Sequence, residues 1–452
     1  MRLHLIAIGG SAMHNMAIAL SLKGYVITGS DDAIYEPSRS RLEKHNILPS
    51  QMGWFPENIT EDIDAIILGM HARADNPELL KATELGLKVY SYPEYIYEQS
   101  KDKVRVVVGG SHGKTTITSM ILHVLKSCNK EFDYLVGAQL EGFETMVKIS
   151  DAPVMIIEGD EYLASPIDRR PKFHLYHANI GVISGIAWDH INVFPTFDNY
   201  IEQFKIFLKT IVAGGSIIYN EGDDHVNAVV QHSDVPLTKI PYSESQSITE
   251  EGVTFLKIKG EKIPLLIFGQ HNLQNMEAAH NVCKVLDISD YDFYHAMKSF
   301  KGAARRLELL GKNEFTAVYK DFAHSPSKLK ATLSAVKAQF PNRELIAVME
   351  LHTFSSLNKA FLDEYKDCMN TADTAVVFIN RRTFEQKNMV PFTENEVKSA
   401  FNNDKLIFFN NSEILVEFLS YINYKSKNLL LMSSGDFGGI DLNILANKAL
   451  TF

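Results

Sequence analysis

Short apolar runs recur along the chain, each closing on glycine or on a polar cluster. "LHLIAI" runs into Gly9-Gly10, a helix-like stretch follows, and a second apolar run closes on Ser30-Asp31. This strand–turn–helix–strand order is a βαβ unit. "DAIILGM" and "KVYSYPEYI" add strands, with Pro93 opening a helix. The pattern restarts at "VRVVVGGSHGKTT", followed by the helical "ITSMILHVLKSC" and the buried strands "VMIIEGDE" and "IGVISGIAWDH". It restarts again at "FTAVYKDFAHSPSKLKATLSAVKAQF", after which "LIAVME", "TAVVFI", "KLIFF" and "LLLMSSG" supply strands. Strands alternating with helices predict mostly parallel sheets covered on both faces. The polar stretches "EQSKDK" and "KGAARR" read as linkers near residues 100 and 302. The expected fold is therefore α/β with three domains. These are a Rossmann-like domain over residues 1–100, a phosphate-loop domain over 101–302 and a Rossmann-like domain over 303–452.

A length of 452 residues exceeds what one hydrophobic core serves, which agrees with several domains. A net charge of -10 argues against a general nucleic-acid binder. No apolar run is long enough to span a bilayer, and the first apolar run, ending in Gly-Gly, reads as a strand and not a signal peptide. Cys128, Cys283 and Cys368 lie far apart without a C-x-x-C pair. That suits a reducing cytoplasm and disfavours a disulfide framework or a zinc site.

The chemistry concentrates in "VVVGGSHGKTT". Gly110, Ser111, His112, Gly113, Lys114, Thr115 and Thr116 form a Gly-rich turn between a strand and a helix, where backbone N–H groups gather anionic oxygens. Lys114 suits the outer phosphates of a nucleotide, and the Thr115 hydroxyl suits Mg²⁺, an arrangement a kinase, an ATPase or a ligase could use. The spacing is a shortened variant of the G-x-x-x-x-G-K-[ST] pattern, since position 108 is Val. Glu158, Asp160 and Glu161 end one buried strand, and Asp189 and His190 end another. Strand carboxyl ends are where ligands gather in open α/β sheets. Carboxylates and a histidine there could hold a second divalent ion, while Asp160 and Asp189 read alternatively as helix caps.

These motifs together resemble the Mur ligases, the three-domain enzymes that build the peptide of bacterial cell-wall precursors. "GGSHGKTT" resembles their ATP loop, "EGDEY" their E-A-D-E stretch and "WDH" their D-H pair. "GQHNLQNMEAA" resembles the G-x-H-N-x-x-N-x-x-A-A segment, and "ARRLELLG" with "KDFAHSPSKLKATL" resembles the start of the third domain. The resemblance covers the whole chain. It implies an ATP- and Mg²⁺-dependent cytoplasmic ligase. Lys114 would hold the β,γ-phosphates, Thr115 and Glu158 one Mg²⁺, and His190 the other. His271, Asn272, Arg306 and Asp321 would bind nucleotide, and His324 would orient the attacking amine. Capping by His324 and an Arg306–Asp321 salt bridge remain alternatives. Lys205 lies where several members carbamylate a lysine, but the branch this chain resembles usually lacks that modification, and a solvated helix lysine is the expected reading.

The opening "IAIGGSAMHNMA" resembles the turn of the branch that accepts UDP-N-acetylmuramate. Gly9, Gly10, Ser11 and Met13 would cradle the pyrophosphate, with Ser30 and Asp31 near the sugar. "ARADNPELLKA", which holds Asn76, matches the same branch. "PIDRRPKFHLYHANIGVI" and "SSGDFGGI" resemble members that attach the tripeptide L-alanyl-γ-D-glutamyl-meso-diaminopimelate, and "LHTFSS" resembles the alanine-adding members. His352-Thr353 stands where both kinds carry an Arg, so a clamp for the acceptor carboxylate is missing. The tripeptide is the expected acceptor, with L-alanine as the alternative and a non-catalytic nucleotide-dependent regulator as a remote one. The expected chemistry is attack of the muramate carboxylate on ATP, giving an acyl phosphate that the amine then opens. Linkers near residues 100 and 302 would permit domain closure.

Overall fold

A computed structural model describes every residue except Glu141, Asp189, His190, Ile191, Lys259, Arg305 and Phe452. The described residues form four sheets in two compact units. The first unit comprises Met1–Ile186, Thr196–Ser243 and Ala278–Ala296; the second comprises Ala187–Pro195, Glu244–Glu277 and Met297–Phe452. The fold is α/β, and three of the four sheets are parallel or mostly so.

In the first unit, Val26–Ser30, Arg2–Ile6, Ala65–Leu68 and Val89–Ser91 lie side by side, all parallel. Leu3, Leu5, Ile6, Ile66, Ile67 and Leu68 are buried on both faces, as a helix-covered parallel sheet requires. Ser91 caps the helix Tyr92–Ser100 through a capping box with Glu94, and Pro93 sits in the first turn, where its missing N–H costs nothing.

A seven-stranded sheet follows, in the order Thr238–Tyr242, Ser216–Asn220, Ile180–Ile183, Val104–Gly109, Val154–Glu158, Asp133–Leu135 and Val147–Lys148. The last strand is antiparallel. Val104–Gly109 lies between Val154–Glu158 and Ile180–Ile183 with Val108 opposite Glu158 and Gly109 opposite Ile183. Three strand carboxyl ends therefore meet where the Gly-rich turn begins.

The segment that reads as a linker near residue 100 is tied down by Arg105. Its Nη1 donates to the carbonyls of Ser100, Lys101 and Lys103 at 2.7, 2.8 and 3.0 Å, and its Nε donates to those of Tyr176 and His177 at 2.9 and 3.0 Å.

In the second unit a six-stranded sheet runs Glu308–Lys312, Ala317–Asp321, Lys427–Met432, Glu344–Glu350, Thr374–Phe378 and Ile407–Phe409, with only the first strand antiparallel. Asp321 and Met349 both lie opposite Met432, so Glu350, Ser433 and Asp321 end at one edge. Ser247–Glu250, Val253–Ile258 and Glu261–Leu265 form a small antiparallel sheet that the sequence pattern did not announce. No helix among the described residues is long and apolar enough to cross a membrane.

Candidate active site

The turn after Val104–Gly109 depends on two glycines in the left-handed region, Gly110 at φ 127° and Gly113 at φ 83°. A Cβ on Gly110 would collide with the Ser184 hydroxyl and lie 2.9 Å from the Ser184 nitrogen. Ser111 N donates to the Gly185 carbonyl at 2.9 Å, which pins the turn to the neighbouring strand end. Gly113 opens the helix Lys114–Ser127 without a side-chain cap. The first-turn amides therefore remain as donors for an anion, supported by the helix dipole.

Lys114 points back over this turn. Its Nζ donates to the Gly110 carbonyl and to Glu161 Oε2, both at 2.6 Å. Burial pulls the ammonium down, but the Glu161, Asp160 and Glu158 carboxylates outweigh it, and the Lys114 pKa lies above the usual lysine range. The Thr115 hydroxyl donates to Glu158 Oε1 at 2.7 Å, and Gly137 N donates to Glu158 Oε2 at 2.8 Å. The hydroxyl and carboxylate that the sequence assigns to one Mg²⁺ thus share one point at the strand edge. Both are hard oxygen donors of the kind Mg²⁺ takes. His190 and its companion Asp189 lie outside the described residues; the strand that leads toward them, Ile180–Ile183, ends several residues earlier than the sequence pattern implies. Among the described residues no group of three or more His, Cys, Asp or Glu converges as a metal cage. Mg²⁺ usually keeps several waters and one or two carboxylates, so the Thr115–Glu158 pair fits it.

Asp160, half-buried, pairs with Lys172 at 2.7 Å. Glu161 is buried, and the Tyr200 hydroxyl donates to its Oε1 at 3.0 Å while lying 3.0 Å from the Ser111 hydroxyl. Sequence reading placed Glu161 only among the strand-end carboxylates that could hold a divalent ion, with no link to the loop lysine. It gave no role to Tyr200, which sits in the first turn of the amphipathic helix Phe197–Thr210 and looks there like any buried aromatic.

At the N-terminal turn, Gly9 N donates to Asp31 Oδ2 at 2.7 Å, and a Cβ on Gly9 would press on Ile34 and Asp31. Burial and the adjacent Asp32 raise the Asp31 pKa. Gly10 opens the helix Ser11–Leu22 without a side-chain cap. Ser11 lies exposed at that opening, and Met13 is buried one turn in. Ser30 is buried, with its hydroxyl 3.4 Å from His4 Nε2. Asn76 caps the helix Pro77–Glu84, accepting from Glu78 N and Leu79 N at 2.9 and 3.2 Å.

In the second unit, the buried Asp321 accepts from Leu307 N at 2.6 Å and Ala323 N at 2.7 Å, which ties down the stretch ahead of the sheet. Arg306 stacks 4.7 Å over the Phe322 ring. His324 Nδ1 lies 2.8 Å from the Phe322 carbonyl. Burial lowers the His271 pKa, with the Asp321 charge opposing it, and Asn272 donates to the Phe268 carbonyl at 2.9 Å. His352 follows the strand Glu344–Glu350 and packs against Gly435, where a Cβ would lie 2.7 Å from its Nδ1. Burial and Lys387 lower the His352 pKa, keeping the ring neutral near pH 7. Lys387 Nζ donates to the His352 carbonyl at 2.6 Å and lies 4.4 Å over the Phe354 ring. Lys387 carries no motif in the sequence. Only the fold brings it beside His352.

Comparison with known proteins adds three successive matches: "Mur ligase family, catalytic domain" over residues 2–103, "Mur ligase middle domain" over 108–283 and "Mur ligase, glutamate ligase domain" over 305–435. The UDP-N-acetylmuramate–L-alanine ligase of Clostridium kluyveri is 32% identical over 377 residues, 80% of each chain. The UDP-N-acetylmuramate–L-alanyl-gamma-D-glutamyl-meso-2,6-diaminoheptandioate ligase of Escherichia coli is 26% identical over 466 residues, covering 99% of this chain and 98% of its own. The crystal structure of a murein peptide ligase from Psychrobacter arcticus superposes with a TM-score of 0.65 at 20% identity, covering 100% of this chain and 99% of its own, a likeness of fold.

Proposed function

The chain belongs to the Mur ligase family, and on that premise we propose that it joins UDP-N-acetylmuramate to the tripeptide L-alanyl-γ-D-glutamyl-meso-diaminopimelate. Membership makes it an ATP-dependent, amide-forming ligase of peptidoglycan synthesis. The uncapped helix start at Gly10 would take the pyrophosphate of the UDP-sugar, with Ser11 and Met13 beside it and Asp31 fixing the turn through Gly9. Residues 1–100 would thus serve the sugar nucleotide, 101–302 ATP, and 303–452 the acceptor.

Lys114 and the first-turn amides would hold the β,γ-phosphates, and Thr115 and Glu158 would hold Mg²⁺, which supplies charge neutralisation when bound. The muramate carboxylate attacks the γ-phosphorus, ADP leaves, and the amine opens the acyl phosphate with loss of phosphate. The protein's own part is to position these groups and to exclude water.

The acceptor reading rests on one observation: His352, packed against Gly435, stands where the resemblance places an Arg to clamp an α-carboxylate, and an imidazole cannot make that planar two-point contact. Lys387, Arg381 and Arg382 lie on or at the end of the helix Arg381–Lys387, which follows the strand Thr374–Phe378. They offer additional cations for the γ-D-glutamyl and diaminopimelate carboxylates, which free L-alanine lacks. Free L-alanine is the second reading, favoured by relatives of that name at 30–32% identity. Steady-state rates with each acceptor separate the two: a higher kcat/KM for L-alanine overturns the tripeptide reading. Loss of tripeptide use on Lys387→Ala, with alanine use unchanged, supports it.

A further inference from the structure

Under the phosphate loop lies a carboxylate with no part in the chemistry set out above. Glu161 is 1% exposed, yet its two oxygens are divided between two partners that both belong to the loop's support: Lys114 Nζ on Oε2 at 2.6 Å and the Tyr200 hydroxyl on Oε1 at 3.0 Å. Tyr200, fully buried, is at the same time 3.0 Å from the hydroxyl of Ser111, and Ser111 is held to Gly185 through its backbone N–H at 2.9 Å. One carboxylate and one phenol thus connect the loop backbone, the loop lysine and the helix Phe197–Thr210.

We propose that Glu161 and Tyr200 are positioning residues, which fix the Lys114 ammonium and the phosphate loop in the geometry that the transferred phosphoryl group needs. The proposal rests on the reading of this loop as the ATP site. A buried ion pair adds little to stability that an apolar pair of similar volume would not, so its presence under the loop calls for another reason. Its geometry supplies one. A lysine has three donors on a flexible stem, and alone over a loop it samples many rotamers. Here two donors are taken, by the Gly110 carbonyl and by Glu161, which leaves the third for an anionic oxygen in the loop. Tyr200 in turn fixes the carboxylate, because its ring is fully buried and its hydroxyl reaches Oε1 at 3.0 Å. Glu161 also places negative charge near the phosphates. It therefore does not strengthen ground-state binding of ATP. Its benefit falls on the step in which Lys114 must sit in one place, which is the signature of preorganisation.

The test uses the full chain with Mg²⁺, ATP, UDP-N-acetylmuramate and both acceptors present, reading ADP release, with nucleotide affinity read separately by ADP calorimetry. Glu161→Gln is expected to lower kcat about tenfold or more while ADP affinity stays within about twofold or tightens. Tyr200→Phe is expected to act in the same direction by roughly threefold to tenfold. Added to Lys114→Ala, Glu161→Gln should change the residual rate by less than about twofold, because its effect runs through that ammonium. The proposal is overturned if kcat in both single variants stays near wild type, if ADP affinity falls in step with kcat as a loosened fold would make it, or if the Glu161 and Lys114 effects multiply. Melting temperatures establish which variants fold, and Tyr200→Phe alone decides if Glu161→Gln does not. A fully active Lys114→Ala would instead sink the ATP-loop reading itself, so the two failures are distinguishable.

Discussion

Lys114 bears on the loop through its length and charge, and its replacement tests whether the two proposed nucleotide sites are separate. Lys114→Ala is expected to lower ligation on the order of 10²–10³-fold, as loss of one preorganised charge donor does, while UDP-N-acetylmuramate affinity, read by calorimetry, stays unchanged. Normal ligation by the variant would contradict the assignment. A second residue carries a pH signature away from the chemistry. His174 is buried, stacks on Phe173 at 4.6 Å and has its Nε2 2.7 Å from the Gln203 carbonyl. Burial depresses its pKa to about 4, against 6.5 when exposed. The unfolded chain therefore binds the proton more readily, so the contribution is complete above pH ~6.5 and is lost as pH falls toward about 4. The loss reaches at most roughly 3 kcal/mol. Thermal melts from pH 7 to pH 4 should show a steeper decline in wild type than in His174→Gln; equal slopes would contradict this. Glu158, Lys114 and Thr115 were legible in the sequence because each belongs to a motif whose spacing encodes its place. Tyr200 and Lys387 were not. Their partners are far away along the chain, and nothing local distinguishes them from core aromatics and surface lysines.

The parallel strands and their Gly turns were equally legible, since runs of branched residues bounded by glycine have few other readings. Gly110 and Gly113 show why these positions cannot vary: both hold a positive φ, and a side chain at the first would strike Ser184. Gly110→Ala should fold with reduced stability and lose nucleotide affinity, which calorimetry with ADP measures; undiminished affinity would contradict a tight turn. The small antiparallel sheet over 247–265 was not legible, because the polar Thr254 takes an inward position beside Leu256 while the apolar Val253 is exposed, so polarity does not follow the pleat. The stretch near residue 100 reads as a polar linker, yet Arg105 gathers five carbonyls, three from the stretch itself and two from Tyr176 and His177. A charge that satisfies so many carbonyls stiffens this joint. Arg105→Ala should cost about 3 kcal/mol or more, since the carbonyls lose their donors. Urea unfolding reads it, and a change within about 0.5 kcal/mol, the usual surface value, would contradict it.

For the molecule entire, three family matches in chain order and the meeting of strand ends at the Gly-rich turn give an ATP-dependent amide ligase of the Mur family. On the reading proposed above, the acceptor is chosen at the edge of the six-stranded sheet, where His352 follows the strand Glu344–Glu350 and Lys387 reaches its carbonyl from the end of the helix Arg381–Lys387. A peptide with several carboxylates can use such an edge, and a single amino acid has less to offer it. The deciding experiment incubates the purified protein with ATP, Mg²⁺ and UDP-N-acetylmuramate, offers L-alanine and the tripeptide L-alanyl-γ-D-glutamyl-meso-diaminopimelate in separate reactions, and identifies the products by mass. The expected result is UDP-N-acetylmuramoyl-tripeptide formed with stoichiometric ADP and phosphate, and little or no UDP-N-acetylmuramoyl-L-alanine. Efficient formation of the alanine product with none from the tripeptide would contradict it.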